Sequence, residues 1–232
     1  GANRFDPSLY HVEVQNSQKT NALELANILH ETNIFDYAEP DFLRIMKSIN
    51  TNDPAVGQQW SLENTGSNTS QYGGIAGADM KVFQAWGSTT GSSNIKVAIL
   101  DEGVDLNHPD LINNLLPGYD ATGLGSNGGP SGDDAHGTAC AGIVAASANN
   151  GIGMAGVAYD CKIIPVRIAY SNSNGNWVTS NAIIGDALNW SWQTANADIL
   201  SNSWGGGSSS STINNAISGA VNNGRSGLGA PV

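Results

Sequence analysis

The sequence predicts an α/β fold of three layers, with a mainly parallel, buried sheet and helices on both of its faces. Three observations carry this. Segments 95–100, 162–168 and 197–202 carry short apolar runs, the first continuous apart from Lys96, as strands buried on both faces require. Segments starting at 137, 181 and 213 carry small or apolar residues at helical spacing. The two kinds of segment alternate along the chain, and alternation favours parallel pairing through right-handed crossovers.

The elements follow in order. Residues 9–14, Leu-Tyr-His-Val-Glu-Val, read as a half-buried strand. Thr20 or Asn21 caps a helix in which Leu23, Leu25, Ala26, Ile28 and Leu29 form one apolar face. Residues 35–46 read as a strand broken at Pro40. These pieces form a small α+β unit with too few elements to fold well alone. The polar stretch 47–54 ends in Asn52-Asp53-Pro54, a turn signal, and divides the chain into 1–48 and 49–232. Ordered loops at 58–66 and 71–77 precede a short helix, 81–86, closed by Gly87. The first buried strand ends at Asp101, where Gly103 permits a sharp turn. The second helical stretch spans 181–194, with Ile183, Ile184, Ala187 and Leu188 on one face. Glycines 205–207 and serines 208–211 form a loop whose last serines cap the final helix, which Gly224 closes. Residues 229–232 read as the opening of another buried strand, so the sheet is expected to be incomplete at its C-terminal side.

Composition narrows the function. A chain of 232 residues holds one sizeable domain plus an appendage. A net charge of −11 excludes a nucleic-acid groove, which needs a basic stripe, and suits an extracellular or salt-tolerant protein. No apolar run reaches membrane-spanning length, and residue 1 does not open a signal peptide. Cys140 and Cys161 make no disulfide framework. His11, His30 and His108 have no zinc-site spacing, and His108, before Pro109, reads as packing.

The chemistry centres on residues 133–146, Asp-Asp-Ala-His-Gly-Thr-Ala-Cys-Ala-Gly-Ile-Val-Ala-Ala. One base, His136, is followed by residues small enough to let a helix lie deep in the core. His136 then sits on the first turn and faces a cleft. A lone histidine there is more often merely solvated, so the rest of the chain decides. Cys140, four residues on, lies on the same helix face and reads as a buried thiol beneath the ring, a catalytic Cys–His pair being the other option. In open parallel sheets chemistry collects beyond the carboxyl ends of the strands, where Asp101 stands. A buried Asp needs a partner, and His136 is the obvious one. Otherwise Asp101 merely caps a turn.

These residues bring a resemblance. Val97-Ala98-Ile99-Leu100-Asp101-Glu102-Gly103-Val104 with Asn107-His108-Pro109-Asp110-Leu111 resembles the aspartate motif of subtilisin-like serine proteases. His136-Gly137-Thr138-Ala139-Cys140-Ala141-Gly142 resembles their histidine motif. Asn52-Asp53-Pro54 through Gln59-Trp60 is similar to the start of their mature enzyme, and Ser201-Asn202-Ser203-Trp204-Gly205-Gly206 to the strand that holds substrate. Residues 1 to about 48, ending in Tyr37-Ala38-Glu39-Pro40-Asp41, resemble the second half of the family's propeptide. Glu102 stands where the family has a small hydroxyl residue or another acid, and Ala139 replaces a frequent second histidine. No Gly-Thr-Ser, the family's nucleophile motif, occurs in the chain.

The resemblance implies a serine endopeptidase using an Asp-His-Ser triad, with Asp101 and His136 as the acid and base. It implies that Ser203, Trp204 and Gly205 bind an extended substrate, with Gly175 and Trp177 on the opposite wall, though Trp177 reads equally as an exposed loop aromatic. It implies a structural Ca2+ held by Asp53, Asp110 and Asn150 with carbonyl oxygens of the loop 148–153, where the residues alone read as an Asn-Gly turn. Expected partners are peptide or protein substrates and the chain's own propeptide, with no nucleic acid and no membrane segment. The expected state is a monomer, secreted or cell-surface. The chain is expected to be an inactive fragment of a longer precursor. The alternative is a naturally short, non-catalytic, protease-like binding or regulatory protein.

Overall fold

The computed structural model describes residues 8, 10, 12–14, 20–40, 51–67 and 74–232. The chain separates into two compact units, Gly1–Met46 and Lys47–Val232.

In the first unit the main element is helix α1, Ala22–Glu31. Asn21 caps it, accepting from the Glu24 amide while the Glu24 carboxylate returns to the Asn21 amide. Only Ala26 of the expected apolar face is buried, whereas Leu23 and Ile28 stay exposed. The expected strand at 9–14 is not formed at residues 12–14, and residues 35–40 form none either; positions 9, 11 and 41–46 lie outside the described residues.

The second unit is a four-stranded, all-parallel sheet in the order β2-β3-β1-β6. Its strands are β1, Lys96–Asp101; β2, Tyr119–Asp120; β3, Lys162–Arg167; and β6, Ile199–Asn202. A separate antiparallel hairpin pairs β4, Tyr170–Ser171, with β5, Trp177–Val178. The helices are α2, Val82–Trp86; α3, His136–Ala145; α4, Asn181–Gln193; and α5, Ser211–Gly227.

Strand periodicity divides the core. Ala98, Leu100, Ile164 and Val166 point to one face, where α4 and α5 bring Ile184, Ala187, Leu188, Ala216 and Ala220. Val97, Ile99 and Ile163 point to the other, against Ala141 and Ala145 of α3. The fold is therefore a three-layer α/β sandwich, as the sequence predicts. Ser210 caps α5, as expected of the serine run, and α5 leaves helical geometry at Gly224; Ser180, which the sequence reading did not single out, caps α4. Residues 229–232 are no strand, but the Pro231 carbonyl accepts from the Leu200 amide, so this segment runs beside β6. No described helix is long and apolar enough to cross a membrane.

Candidate active site

Asp101 ends β1 and is 1 % exposed. His136 opens α3 on the adjacent layer. Two glycines allow the approach. A Cβ on Gly137 would lie 2.3 Å from the Gly103 carbonyl oxygen and 2.9 Å from the Asp101 Cβ. Gly103 itself has φ +110° and packs against the main chain of Gly129 and Pro130. The small-residue helix thus brings the His136 ring to the strand end. Its Nδ1 lies 2.9 Å from Asp101 Oδ1 and 3.0 Å from Oδ2.

A carboxylate accepts, so Nδ1 carries the proton and donates, leaving Nε2 as the proton acceptor. The Asp101 bond and charge, with the charge of Glu102 added, raise the imidazole above its ordinary pKa, and partial burial opposes them. The ring is half exposed, ready to meet a reacting group. Asp101 is held in turn by the Glu102 amide, 2.8 Å from Oδ1.

Cys140 is not beneath the ring in the core. It is half-buried, its Sγ 3.9 Å from both ring nitrogens, because α3 buries only the face of Gly137, Ala141, Gly142 and Ala145. Desolvation pushes the thiol up in pKa, against a lowering hydrogen bond to Ser203. A thiol held protonated is a poor nucleophile.

That bond also places Ser203 beside the site. Trp204, next along, anchors the segment by donating Nε1–H to the Leu100 carbonyl, 2.9 Å away, while Ser203 and Gly205 are exposed. Gly175, at φ +73°, turns the β4–β5 hairpin that carries the partly exposed Trp177. The Ser171 amide of this hairpin donates to Asp134, two residues before His136. A groove of about 850 Å³ along the outer flank of α3, bordered by Asp105, His108, Asp133, Ala139 and Ile143, does not include His136.

The residues expected to hold calcium gather in one loop cluster. Both oxygens of Asp53 are taken by backbone amides of Asn149, Asn150 and Gly151 at 2.9–3.2 Å. These bonds tie Asp53 to the loop and leave Oδ2 with a single donor. Asp110, 2 % exposed, accepts from Asn150 Nδ2 at 2.8 Å and the Met154 amide at 3.0 Å, and no cationic side chain pairs with it among the described residues. Next to it the Ser147 hydroxyl is buried without a partner. Asp53 Oδ2 and both Asp110 oxygens each accept one of these bonds and keep a lone pair, so both acids fit a hard cation, while the Asn150 side-chain oxygen also accepts from the Ile152 amide at 2.8 Å.

Sequence reasoning missed one contact. Glu102, 7 % exposed, accepts the His136 amide N–H at 2.7 Å. The available signal was an acid directly after Asp101 in a chain only 12 % charged.

Comparison with known proteins now decides the family. The model of the subtilase family matches residues 92–229. The chain belongs to that family. It is 34% identical to neuroendocrine convertase 2 of Caenorhabditis elegans over 203 residues, covering 82% of this chain and 29% of that protein. It is 33% identical to an extracellular protease of Xanthomonas campestris over 213 residues, covering 76% of this chain and 34% of that protein. Among solved structures, a protease from Pseudoalteromonas arctica PAMC 21717 shares 32% identity at a TM-score of 0.57, covering 73% of this chain and 55% of that one. The chain thus spans about a third of the length of these curated relatives. The subtilase fold is the one the sequence predicts.

Proposed function

We propose that these 232 residues carry the acid and base of a serine endopeptidase. The observation that supports this best is the Asp101–His136 pair, with Nδ1 engaged at 2.9 Å and Nε2 left to act. His136 takes the proton of an attacking serine hydroxyl and returns it to the leaving amine, while Asp101 orients the ring and stabilises the imidazolium. Ser203, Trp204 and Gly205 receive the substrate as an added strand, and Gly175 and Trp177 border it on the hairpin side. The serine comes from outside these residues, since no Gly-Thr-Ser occurs among them. The substrates are peptides or proteins. Residues 1–48 are the C-terminal half of a propeptide, the protein acts as a monomer, and it is secreted or cell-surface, which the extracellular relative supports. Asp53, Asp110 and Asn150, with main-chain oxygens of the loop, hold a structural calcium ion.

The test compares residues 1–232 with the longer protein that contains them, using a broad peptide substrate and a serine-directed covalent probe. The longer protein is expected to turn over and to lose activity in His136→Ala, while residues 1–232 neither label nor turn over. Labelling and turnover of residues 1–232, both abolished by His136→Ala, would overturn the assignment of the serine. Activity of the longer protein that survives His136→Ala would overturn the triad.

A further inference from the structure

Helix α3 begins without a cap of its own. Its N-cap residue is Ala135, which has no side-chain acceptor, and no acidic residue lies in its first turn. The start of a helix leaves amide N–H groups unsatisfied, and a negative charge placed there is stabilising. Here the acceptor comes from the end of β1, 34 residues earlier. Glu102 Oε1 receives the His136 amide at 2.7 Å, the short length expected of a charge-assisted bond. Glu102 is nearly as buried as Asp101, and no Lys or Arg pairs with either among the described residues. Two neighbouring carboxylates therefore engage the same residue, Asp101 through the His136 ring and Glu102 through its main-chain amide.

We propose that Glu102 is a second positioning acid of the site. It fixes the first turn of the helix on which the base is mounted, and its charge joins that of Asp101 in holding the imidazolium. The proposal rests on the reading of His136 as the base. The groups that face the ring are few. Asp101 and Glu102 come from the end of β1, Cys140 from α3 itself, and Ser203 from the segment after β6. Asp133 and Asp134 precede the ring in the chain, and Asp134 is engaged by the Ser171 amide. Of these, Glu102 alone accepts from the His136 amide. The charge of Glu102 acts in the same direction as that of Asp101, raising the imidazole pKa.

Two variants separate the two roles. Glu102→Gln keeps an oxygen acceptor but removes the charge, whereas Glu102→Ala removes both. The ring of His136 is titrated by NMR in the 232-residue chain, its signal identified by loss in His136→Gln. Amide exchange at the start of α3 is followed alongside. In Glu102→Gln the midpoint is expected to fall while the first turn keeps its protection. In Glu102→Ala the midpoint falls as well and the His136 amide exchanges faster. A Gln variant that titrates like the parent would overturn the electrostatic role, and unchanged amide protection in the Ala variant would overturn the anchoring role. If the Ala variant does not fold, the Gln titration still decides the charge. In the longer protein the acid limb of the kcat/KM profile should move to lower pH in Glu102→Gln, because the base then loses its proton more readily. Absence of any turnover, with the NMR shift present, would count against the protease reading and leave the role of Glu102 standing.

Discussion

Gly137 shows how one missing side chain can set the chemistry of a site. The His136 ring reaches Asp101 only because nothing on the next residue holds α3 away from the turn at Gly103. A Cβ at 137 would meet a carbonyl oxygen at 2.3 Å, and backbone cannot swing aside as a flexible side chain does. Gly137→Ala is therefore expected to push α3 outward, costing about 1–3 kcal/mol as overpacking does. The His136 pKa should fall with it, as the Asp101 bond lengthens. A variant of parental stability with an unchanged His136 titration would refute the close-approach argument. The same pair gives a pH signature. The folded pKa of His136 is raised, so its stabilisation is complete below the unfolded value of about 6.5 and is lost as the pH rises through the folded value. His136→Gln should thus lower the melting temperature more at about pH 5.5 than at about pH 9. The ring is half exposed, so the effect is small. An equal gap at the two pH values would contradict the sign.

Elements were legible where burial or capping leaves a residue pattern. β1, β3 and β6 could be read because strands packed on both faces keep charge out of their interiors, leaving Lys96, Asp101, Lys162 and Arg167 at the ends, and the alternation of Ala98 and Leu100 against Val97 and Ile99 serves two different helix layers. Their ends were less clear, since Ile95, Ile168 and Ala197 continue the apolar pattern past the last ladder pair. β2, β4 and β5 have two residues each, too few for any periodicity. β2 also places an acid in the sheet, Asp120, which is tolerated because Arg167 of β3 pairs with it 3.3 Å away. Within the site, Asp101 and His136 stood out as a strand end and a helix start in a charge-poor chain. The contact from Glu102 did not, because its direction depends on how the chain between residues 102 and 136 crosses the sheet. Helix caps were the most local signal, and they can be tested as such. Ser180 accepts the Ile183 amide at 3.2 Å, so Ser180→Ala should cost about 1 kcal/mol in chemical denaturation. No change in the unfolding midpoint would mean that packing of α4, rather than its cap, fixes its start.

At the scale of the whole unit, the loop cluster around Asp53, Asp110 and Asn150 ties the segment before β1 to the end of α3. The Ala55 amide donates to the Gly153 carbonyl, and the Ser147 amide to the Asp110 carbonyl. Three separate stretches of chain thus meet at two buried carboxylates that have no cationic side chain among the described residues. The two acids are balanced differently. Asp53 accepts from three amide donors, two on Oδ1 and one on Oδ2. Asp110 has two donors and stands beside the unpartnered hydroxyl of Ser147. An ion that binds only the folded state stabilises it by mass action, about 2.7 kcal/mol at a concentration one hundred times the dissociation constant. Calcium is therefore expected to raise the melting temperature of the chain, and chelation to lower it. The substitutions should then part company. Asp110→Asn should abolish the calcium-dependent shift, since it removes the charge the ion would face. Asp53→Asn should lower the melting temperature with or without calcium, since it weakens the amide contacts that fold the loop, and should also reduce the shift. A parent chain that melts identically in calcium and in chelator would eliminate the ion. A shift kept whole in either variant would remove that acid from the ion's ligands.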